Sequence, residues 1–449
     1  MRILAAVLCS LLGAGCAARV ITLPSVRGHM EFLAADAMNG RGSGTRDEWI
    51  AATYIGSQLR RWGVEPLGDE GGFVQAVEIA RTQVTAPPVL TAGSLRLTHG
   101  REMIVQRLGA LGFSGPLRKF QPGMTVGAFD VVLMPDGPLG RDAATAVRSA
   151  AAILTIENPQ SRAEWEVQGR RPILLPGRIV ALSAATEARP QATWIMLDKS
   201  SHAAMTALAE RTMVSLDAVG SEVKSRTWNA VGGLKGSDPS MSDDVILLTA
   251  HLDHLGGNGT GADPIFNGAD DDASGTAAVL ELAEALAKGK RPKRTVIFAW
   301  FGSEEAGGYG ARYFVERPPA PLDRIVANLE FEMLGRADKA VAAHTLWLTG
   351  YERTDLGPEL ARRGARIVAD PHPDQNFFER SDNIQLARKG VVAQTVSSYG
   401  LHSDYHQPSD DVAHLDLPHM TESIQSMLEA VRWLADSGFT PQWRPGKRP

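Results

Sequence analysis

Four continuous apolar runs in the second half of the chain are each followed by acidic residues or by a histidine. The runs occupy residues 245–250, 295–301, 325–331 and 391–396. Such runs are typical of parallel strands that are buried on both faces. Residues 276–286, between the first two runs, have high helix propensity, and Ser274 is placed to cap that helix. The pattern therefore predicts an α/β fold with a mixed, mostly parallel central sheet flanked by helices.

The side chains beyond these runs are of the types that bind zinc. Because ligands of open α/β sheets bind outside the carboxyl ends of the strands, we expect these side chains to converge. Imidazole and carboxylate are the ligands of catalytic zinc, and two ions ~3.5–4 Å apart can act on one hydrolytic transition state. The sequence therefore predicts a two-metal hydrolytic site made of His251, Asp271, Glu305, Glu332 and His406.

Each of these residues also has an ordinary explanation. A pair such as Glu304 and Glu305 is usually a solvated surface, and His406 could be a loop histidine. Three adjacent acids, Asp270 to Asp272, could interact favourably with the start of the following helix. A bound cation explains these acids better, because it removes their mutual repulsion. His254 is interpreted as an incidental neighbour of Asp253.

The order of the motifs is also informative. His251-Leu252-Asp253 is followed by residues 268–275, which read GADDDASG, then by Glu304-Glu305, then by Glu332 before a methionine, and finally by His406. In this order the chain resembles the co-catalytic zinc aminopeptidases related to glutamate carboxypeptidase. The resemblance implies a fold of the zinc exopeptidase type and two Zn²⁺ ions as cofactors.

The resemblance also assigns the ligands to two ions. It implies that His251 and Glu332 bind one ion, that Glu305 and His406 bind the other, and that Asp271 bridges them.

Three further roles follow from the same resemblance. Glu304 would be the general base, Asp253 would orient His251, and Tyr405 would steady the developing oxyanion. The peptide bond between Asp271 and Asp272 is expected to be cis, as in the family.

The chain departs from the family pattern at two positions. The fourth ligand is often Asp in the family, whereas Glu330 and Glu332 lie here on one face of a strand. The pattern does not choose between them, and Met333 after Glu332 favours Glu332. Asn383 stands where relatives often carry a histidine.

The N-terminus predicts export. The chain has 449 residues and a net charge of −5, so no nucleic-acid surface is indicated. Residues 1–18 carry one positive charge, an apolar run and small residues, which is typical of a signal peptide. The chain contains two cysteines, Cys9 and Cys16, and residues 11–16 resemble a lipoprotein box. An extracytoplasmic protein is expected, either secreted, periplasmic or attached to the membrane through a lipidated Cys16.

The segment between this leader and the site divides the predicted catalytic domain. Residues 21–88 and 226–439 are assigned to the two parts of that domain, and residues 440–449 to a tail. Thr45 to Glu48 read as a capping box that opens a helix running to about Trp62. Residues 89–225 alternate short β-like runs with Gly/Pro loops and predict an inserted β-rich domain. Its position resembles that of a protease-associated domain, and an unrelated β-rich insertion is the alternative.

The resulting functional hypothesis is a di-zinc exopeptidase acting on peptides, specifically an aminopeptidase. A carboxypeptidase of the glutamate carboxypeptidase type would need a cation for the substrate carboxylate, and Arg336 and Arg380 are the candidates. A glutaminyl cyclase would use one zinc, and the full ligand set argues against it. A non-catalytic receptor on the same fold would not require Glu304 as a base.

Overall fold

Two β-sheets organise the chain. The computed structural model describes residues 20–137, 141–167, 172–182, 192–257 and 260–449. The predicted signal peptide, residues 1–18, and Cys16 lie outside the described residues.

The helices and strands are as follows. The strands are β1 (Glu65–Pro66), β2 (Val74–Val84), β3 (Val89–Ala92), β4 (Leu95–Thr98), β5 (Met103–Arg107), β6 (Gly112–Lys119), β7 (Val131–Leu133), β8 (Ala152–Ile156), β9 (Arg178–Ile179), β10 (Thr193–Leu197), β11 (Met213–Asp217), β12 (Gly220–Leu234), β13 (Val245–His251), β14 (Thr295–Phe301), β15 (Ile325–Phe331), β16 (Leu346–Leu348), β17 (Ile367–Ala369) and β18 (Ala393–Ser397). The helices are α1 (Leu23–Leu33), α2 (Arg46–Arg61), α3 (Arg141–Ala146), α4 (Pro159–Val167), α5 (Lys199–Ala207), α6 (Gly275–Lys288), α7 (Tyr309–Glu316), α8 (Leu356–Arg362), α9 (Asn383–Lys389) and α10 (Leu417–Asp436).

The large sheet holds the four apolar runs side by side. Its strand order is β17-β16-β18-β15-β13-β14-β12-β2-β9, and β1 pairs with β12. The four strands β18, β15, β13 and β14 are parallel, whereas β12, β2 and β9 continue the sheet antiparallel. The predicted mixed α/β sheet is confirmed, and its parallel part is the centre. The carboxyl ends of four neighbouring strands therefore meet at one edge.

Helices cover both faces of this sheet. On one face, α1, α2, α6 and α10 bury their apolar sides against the strands in one hydrophobic cluster. On the other face, α7 and α9 pack through residues such as Phe314 and Ile384.

The predicted crossover helix α6 is present, but the prediction that Ser274 caps it is wrong. The Ser274 hydroxyl donates to the Asp270 carbonyl at 2.7 Å and makes no capping bond to α6.

A second sheet lies within the segment predicted to be an insertion. Its strand order is β4-β3-β11-β6-β7-β8-β10-β5, so β4 and β5 are its two edges. It has its own apolar core. The short strand β9, from the same segment, pairs instead with β2 of the large sheet. The long pair β2–β12 leads from the large sheet to this domain. Among the described residues, no helix combines the length and the apolar character needed to span a bilayer.

Candidate active site

The candidate ligands lie at the edge where the central parallel strands end. His251 is the last residue of β13, Glu332 directly follows β15, and Glu304 and Glu305 follow β14 after two residues. His406 lies in the loop beyond β18. Asp271 belongs to a single irregular turn, Ala269–Ser274, that leads into α6. All five predicted ligands are therefore delivered to one place.

Asp271 lies at the centre of the group. One of its carboxylate oxygens, Oδ1, is 3.1 Å from His251 Nε2, and the other, Oδ2, is 3.2 Å from His406 Nε2. His251, Asp271 and Glu332 form a cluster whose ligand atoms all lie within 4.8 Å of one another. The two oxygens of the Asp271 carboxylate thus lie next to two different histidines, as expected of a carboxylate that bridges two metal ions.

The second group contains a histidine that the sequence reasoning dismissed. His254, Asp271 and Glu305 also bring their ligand atoms within 4.8 Å of one another. His254 Nδ1 is 2.8 Å from Glu305 Oε1, and His406 Nε2 is 3.3 Å from the same oxygen. His254 is therefore more than a neighbour of Asp253, because it contacts the candidate ligand Glu305 directly. Its position three residues after His251, beyond the end of β13, was the available signal.

Two further acids, Asp410 and Asp272, stabilise the turn that carries Asp271 by accepting hydrogen bonds from backbone N–H groups. Asp410 accepts the backbone N–H groups of Asp270 and Asp271 at 3.0 and 3.1 Å. Asp272 accepts the N–H groups of His251 and Met333 at 3.2 and 3.1 Å. The peptide bond between Asp271 and Asp272 is cis, as expected. Asp410 was not identified from the sequence, because it lies far along the chain in an unremarkable loop.

Asp253 contacts more than the histidine it was predicted to orient. Its Oδ1 accepts the Glu304 N–H at 2.9 Å, and its Oδ2 accepts the Ser43 hydroxyl at 2.5 Å. The distance from Oδ1 to His251 Nδ1 is 3.7 Å, whereas the Asp253 backbone carbonyl is 3.2 Å from that nitrogen. The carboxylate therefore fixes the loop that carries Glu304, and the carbonyl is the nearer partner of His251.

Glu48 is a second supporting acid that the sequence did not reveal. It was interpreted as the acidic member of a capping box, but it is fully buried. Its carboxylate accepts from the Thr227 hydroxyl and the Ser303 N–H, each at 2.7 Å, and from the Gly44 N–H at 3.0 Å. Thr45 alone caps α2, through the Asp47 N–H. Glu48 therefore joins the start of α2 to the loop that carries Glu304.

The two glutamates at the end of β15 have different surroundings. Glu330 is fully buried and accepts the Asn383 N–H. Glu332 belongs to the cluster with His251 and Asp271. Glu332 therefore lies in the cluster with His251 and Asp271, as the sequence favoured. Asn383, which stands where relatives carry a histidine, donates its side-chain amide to the Phe378 carbonyl at 3.2 Å.

The site concentrates negative charge in a buried place. Burial raises the pKa of Asp272, Glu304 and Glu332 above their usual ranges, and neighbouring carboxylates add to each rise. Burial lowers the pKa of His406, but the Glu305 and Asp271 carboxylates outweigh it and raise the pKa to about 10. Such a group of buried acids is costly unless cations compensate it.

A small cavity of about 30 Å³ lies beside Glu332. Its lining residues are Glu332, Met333, Trp347, Thr349, Phe377, Arg380, Thr395, Ser397, Tyr399 and Tyr405. The Tyr405 ring stacks on His406 with the ring centres 3.9 Å apart. Burial raises the pKa of Tyr405 well above its usual range, so its hydroxyl stays protonated and can donate. The pocket thus joins an aromatic wall to the candidate metal cluster.

The two arginines that would serve a carboxypeptidase differ in availability. Arg336 donates to Asp404 at 2.5 Å and lies 3.8 Å from Asp410. Arg380 lies over the Phe377 ring at 4.9 Å and borders the small cavity. Arg336 is therefore committed to the scaffold, and Arg380 faces the site.

The candidate site lies within a stretch of the chain that resembles known peptidases. Residues 229–431 match the model of peptidase family M28. An aminopeptidase of Pseudomonas aeruginosa is 36% identical over 115 residues, which cover 25% of this chain and 19% of that protein. Leucine aminopeptidase 2 of Trichophyton equinum is 26% identical over 251 residues, which cover 49% of this chain and 48% of that protein. The chain thus spans about a fifth of the length of the bacterial relative.

Solved structures share the fold over nearly the whole chain. The aminopeptidase from Aneurinibacillus sp. strain AM-1 gives a TM-score of 0.62 at 18% identity, covering 94% of this chain and 95% of that one. A zinc aminopeptidase from Bacillus subtilis gives a TM-score of 0.56 at 17% identity, covering 93% and 97%. The predicted fold is confirmed, and the predicted resemblance is supported by the match of residues 229–431 to peptidase family M28.

Proposed function

We propose that the protein is a two-zinc aminopeptidase that releases N-terminal residues from peptides. The observation that carries the proposal is the Asp271 carboxylate, whose two oxygens face His251 and His406 separately at 3.1 and 3.2 Å. The match of residues 229–431 to peptidase family M28 and the aminopeptidases among the relatives support the same reaction class.

The residues present fit two zinc ions. Zinc bonds to nitrogen and oxygen of ~2.0–2.2 Å in a tetrahedral site place neighbouring ligand atoms roughly 3.4 Å apart. The His–carboxylate separations of 3.1, 3.2 and 3.3 Å around Asp271 and Glu305 are close to this value. His406 Nε2 and Glu305 Oε1 are also buried without a hydrogen-bond partner among the described residues. Such atoms are expected where a cation binds.

The ligands divide into two sets that share Asp271. His251 and Glu332 would complete the first set, and Glu305 and His406 the second. His254 supports the second set through its contact with Glu305 at 2.8 Å. His406 is preferred as the ligand because it lies about equally far from both carboxylates, whereas His254 Nδ1 is 3.9 Å from Asp271.

The reaction is hydrolysis: water adds to the peptide carbonyl, and the C–N bond then breaks to release the amine. Zinc, when bound, would lower the pKa of water towards ~7 and polarise the carbonyl. Glu304 takes a proton from the attacking water and returns it to the leaving amine. Its backbone N–H donates to Asp253, which holds the loop that carries Glu304. Tyr405 donates its hydroxyl to the developing oxyanion.

The carboxypeptidase alternative has one observation in its favour, which is Arg380 at the border of the small cavity. The acids around that cavity favour an amine instead. Glu332 lines it, and Glu330 and Asp382 are buried so close to Glu332 that its carboxylate adds to the rise in pKa that burial gives each of them. Peptides with a blocked N-terminus and peptides with a blocked C-terminus separate the two functions. An aminopeptidase loses only the N-blocked substrates.

Metal removal tests the proposal directly. We expect the purified protein to contain two zinc ions per chain and to lose activity on chelation, with recovery on adding zinc. The melting temperature should fall on chelation, because binding to the native state stabilises it. Metal analysis and thermal unfolding measure both effects. One tightly held ion at full activity would favour the cyclase-type site.

We also propose that the protein is exported and anchored through Cys16, and that residues 89–225 form a protease-associated-like domain. The apolar leader with its lipoprotein-like box supports export, and the second sheet between the two catalytic parts supports the domain. In a bacterial host, Cys16→Ser should move the protein from the membrane fraction to the soluble periplasmic fraction. A wild-type protein that is soluble and carries no acyl group would contradict the anchor and leave export intact.

A further inference from the structure

A cleft of about 530 Å³ separates the candidate metal cluster from the second sheet. His254 and Glu305 of the cluster form one wall. The opposite wall comes from the segment 89–225 and includes residues 104–108, Trp165 and residues 172–174. The cleft is thus continuous with the proposed reaction centre, and the inserted domain forms one side of it.

The two cavities beside the cluster differ greatly in size. The cavity on the Glu332 side measures about 30 Å³, whereas the cleft on the Glu305 side measures about 530 Å³. An aminopeptidase substrate has one residue on one side of the scissile bond and the rest of the peptide on the other. Cavities of roughly 300–1,000 Å³ hold a drug-sized ligand. Of these two cavities, only the cleft is large enough to hold the peptide chain that follows the released residue.

The cleft carries positive charge. Arg81 is only 8% exposed, lies over the Tyr309 ring at 5.5 Å and has a 3.4 Å contact with Ser225 Oγ. Arg107 lies over the Trp194 ring at 5.9 Å and donates to the Ala192 carbonyl at 3.1 Å. Neither guanidinium has a carboxylate partner among the described residues. Glu305, which is a candidate ligand, is the one carboxylate among the described residues that line the cleft.

The guanidinium groups of Arg81 and Arg107, which have no carboxylate partner among the described residues, are suited to bind an anion. Burying a cation costs free energy unless an opposite charge compensates it, and arginine forms paired hydrogen bonds to carboxylates. We propose that this cleft binds the part of the peptide that follows the scissile bond, and that Arg107 and Arg81 recognise a carboxylate on it. The inference rests on the proposed aminopeptidase function and assigns a role to the inserted domain. The carboxylate comes either from an acidic side chain or from the C-terminus of a short peptide.

Peptide kinetics test the proposal. The substrates begin with the residue that the wild type releases fastest from a p-nitroanilide. They carry Glu or Gln at the second or third position, with a free or an amidated C-terminus. We expect the carboxylate to raise kcat/KM by roughly 10–100-fold, the usual effect of a hydrogen bond between charged groups. A gain from Glu in amidated peptides identifies the side chain, and a gain only with the free C-terminus identifies the terminal group.

The matched variants are Arg107→Gln and Arg96→Gln. Arg96 is exposed on β4, at the opposite edge of the same sheet, so its replacement changes the charge equally without touching the cleft. Arg107→Gln should make kcat/KM for the Glu and Gln peptides equal, and Arg96→Gln should keep both the carboxylate gain and the wild-type rate of p-nitroanilide hydrolysis. Arg107→Lys should restore part of the gain if the fold is intact.

The failing outcomes are distinct. Equal kcat/KM for Glu and Gln peptides and for both C-termini would overturn the cleft assignment, as would equal effects of Arg107→Gln and Arg96→Gln. If no substrate with a free amine is hydrolysed, the proposed function fails instead. The binding of labelled peptides, measured by fluorescence anisotropy, then tests the cleft. Tighter binding of Glu than of Gln peptides that is lost in Arg107→Gln supports the assignment of the cleft. Equal binding of both peptides by the wild type refutes it.

Discussion

Glu304→Gln should lower kcat by about 10²–10⁴-fold, the usual cost of losing a general base. Glutamine keeps the size of the side chain and most of its hydrogen bonding, but it cannot take a proton from water. The backbone anchor to Asp253 is unaffected, because it uses the Glu304 N–H. Zinc content and melting temperature should therefore match the wild type. Steady-state kinetics, metal analysis and thermal unfolding on the same sample provide the measurement.

The adjacent residue supplies the control. Glu305→Gln should lose metal affinity and thermal stability together with activity, because Glu305 contacts both His406 and His254 and is assigned to a metal. If Glu304→Gln loses zinc while Glu305→Gln keeps it, the assignment of the pair is reversed. A fully active Glu304→Gln enzyme would refute the proton transfer proposed for this residue.

Three of the candidate ligands, His251, Glu305 and Glu332, could be placed together from the sequence because each follows a recognisable strand. The ends of β13, β14 and β15 are visible as the ends of apolar runs, and parallel strands bring these ends to one edge whatever the length between them. His251 and Glu332, 81 positions apart, were thus placed together without any contact information. The order of the motifs supplied the rest.

The supporting acids could not be found in this way, because their partners are remote in sequence. Glu48 contacts Ser303 across 255 positions, and Asp410 contacts Asp270 across 140. A local pattern offers each a sufficient explanation, such as the capping box at Thr45. Arg41 is similar: its fully buried guanidinium donates to the carbonyls of Leu33, Leu252, Asn267 and Gly268. Within a Gly-rich segment it reads only as a loop residue.

The strand pairing of the second sheet also could not be predicted, because it depends on contacts between segments that are remote in sequence. Its β-rich character was visible in short runs, but the pairing of strands was not. The two-residue strand β9 has no periodicity to detect, and it joins β2 of the other sheet. The cleft between the sheets follows from that arrangement, so a role for the inserted domain became arguable only from the structure.

Asp271→Asn should remove both zinc ions, whereas a change at any other proposed ligand should first weaken one. An amide is a poorer ligand than a carboxylate, and the Asp271 side chain faces both His251 and His406. Changes next to a metal ligand already cost ~10–100-fold in affinity or activity. We therefore expect Asp271→Asn to lose at least about 100-fold in activity, with the zinc content falling from two ions towards none.

The comparison variants are Glu332→Gln and His406→Ala, one from each proposed set. Each should retain the ion of the other set, so metal analysis should give values near one ion per chain. The three melting temperatures should follow the same order, with Asp271→Asn the lowest, because each bound ion stabilises the native state. If Asp271→Asn retained one ion as firmly as Glu332→Gln does, Asp271 would belong to a single site. The Asp271 oxygen facing His406 would then make only a hydrogen bond, and the cluster would hold its two ions without a shared carboxylate.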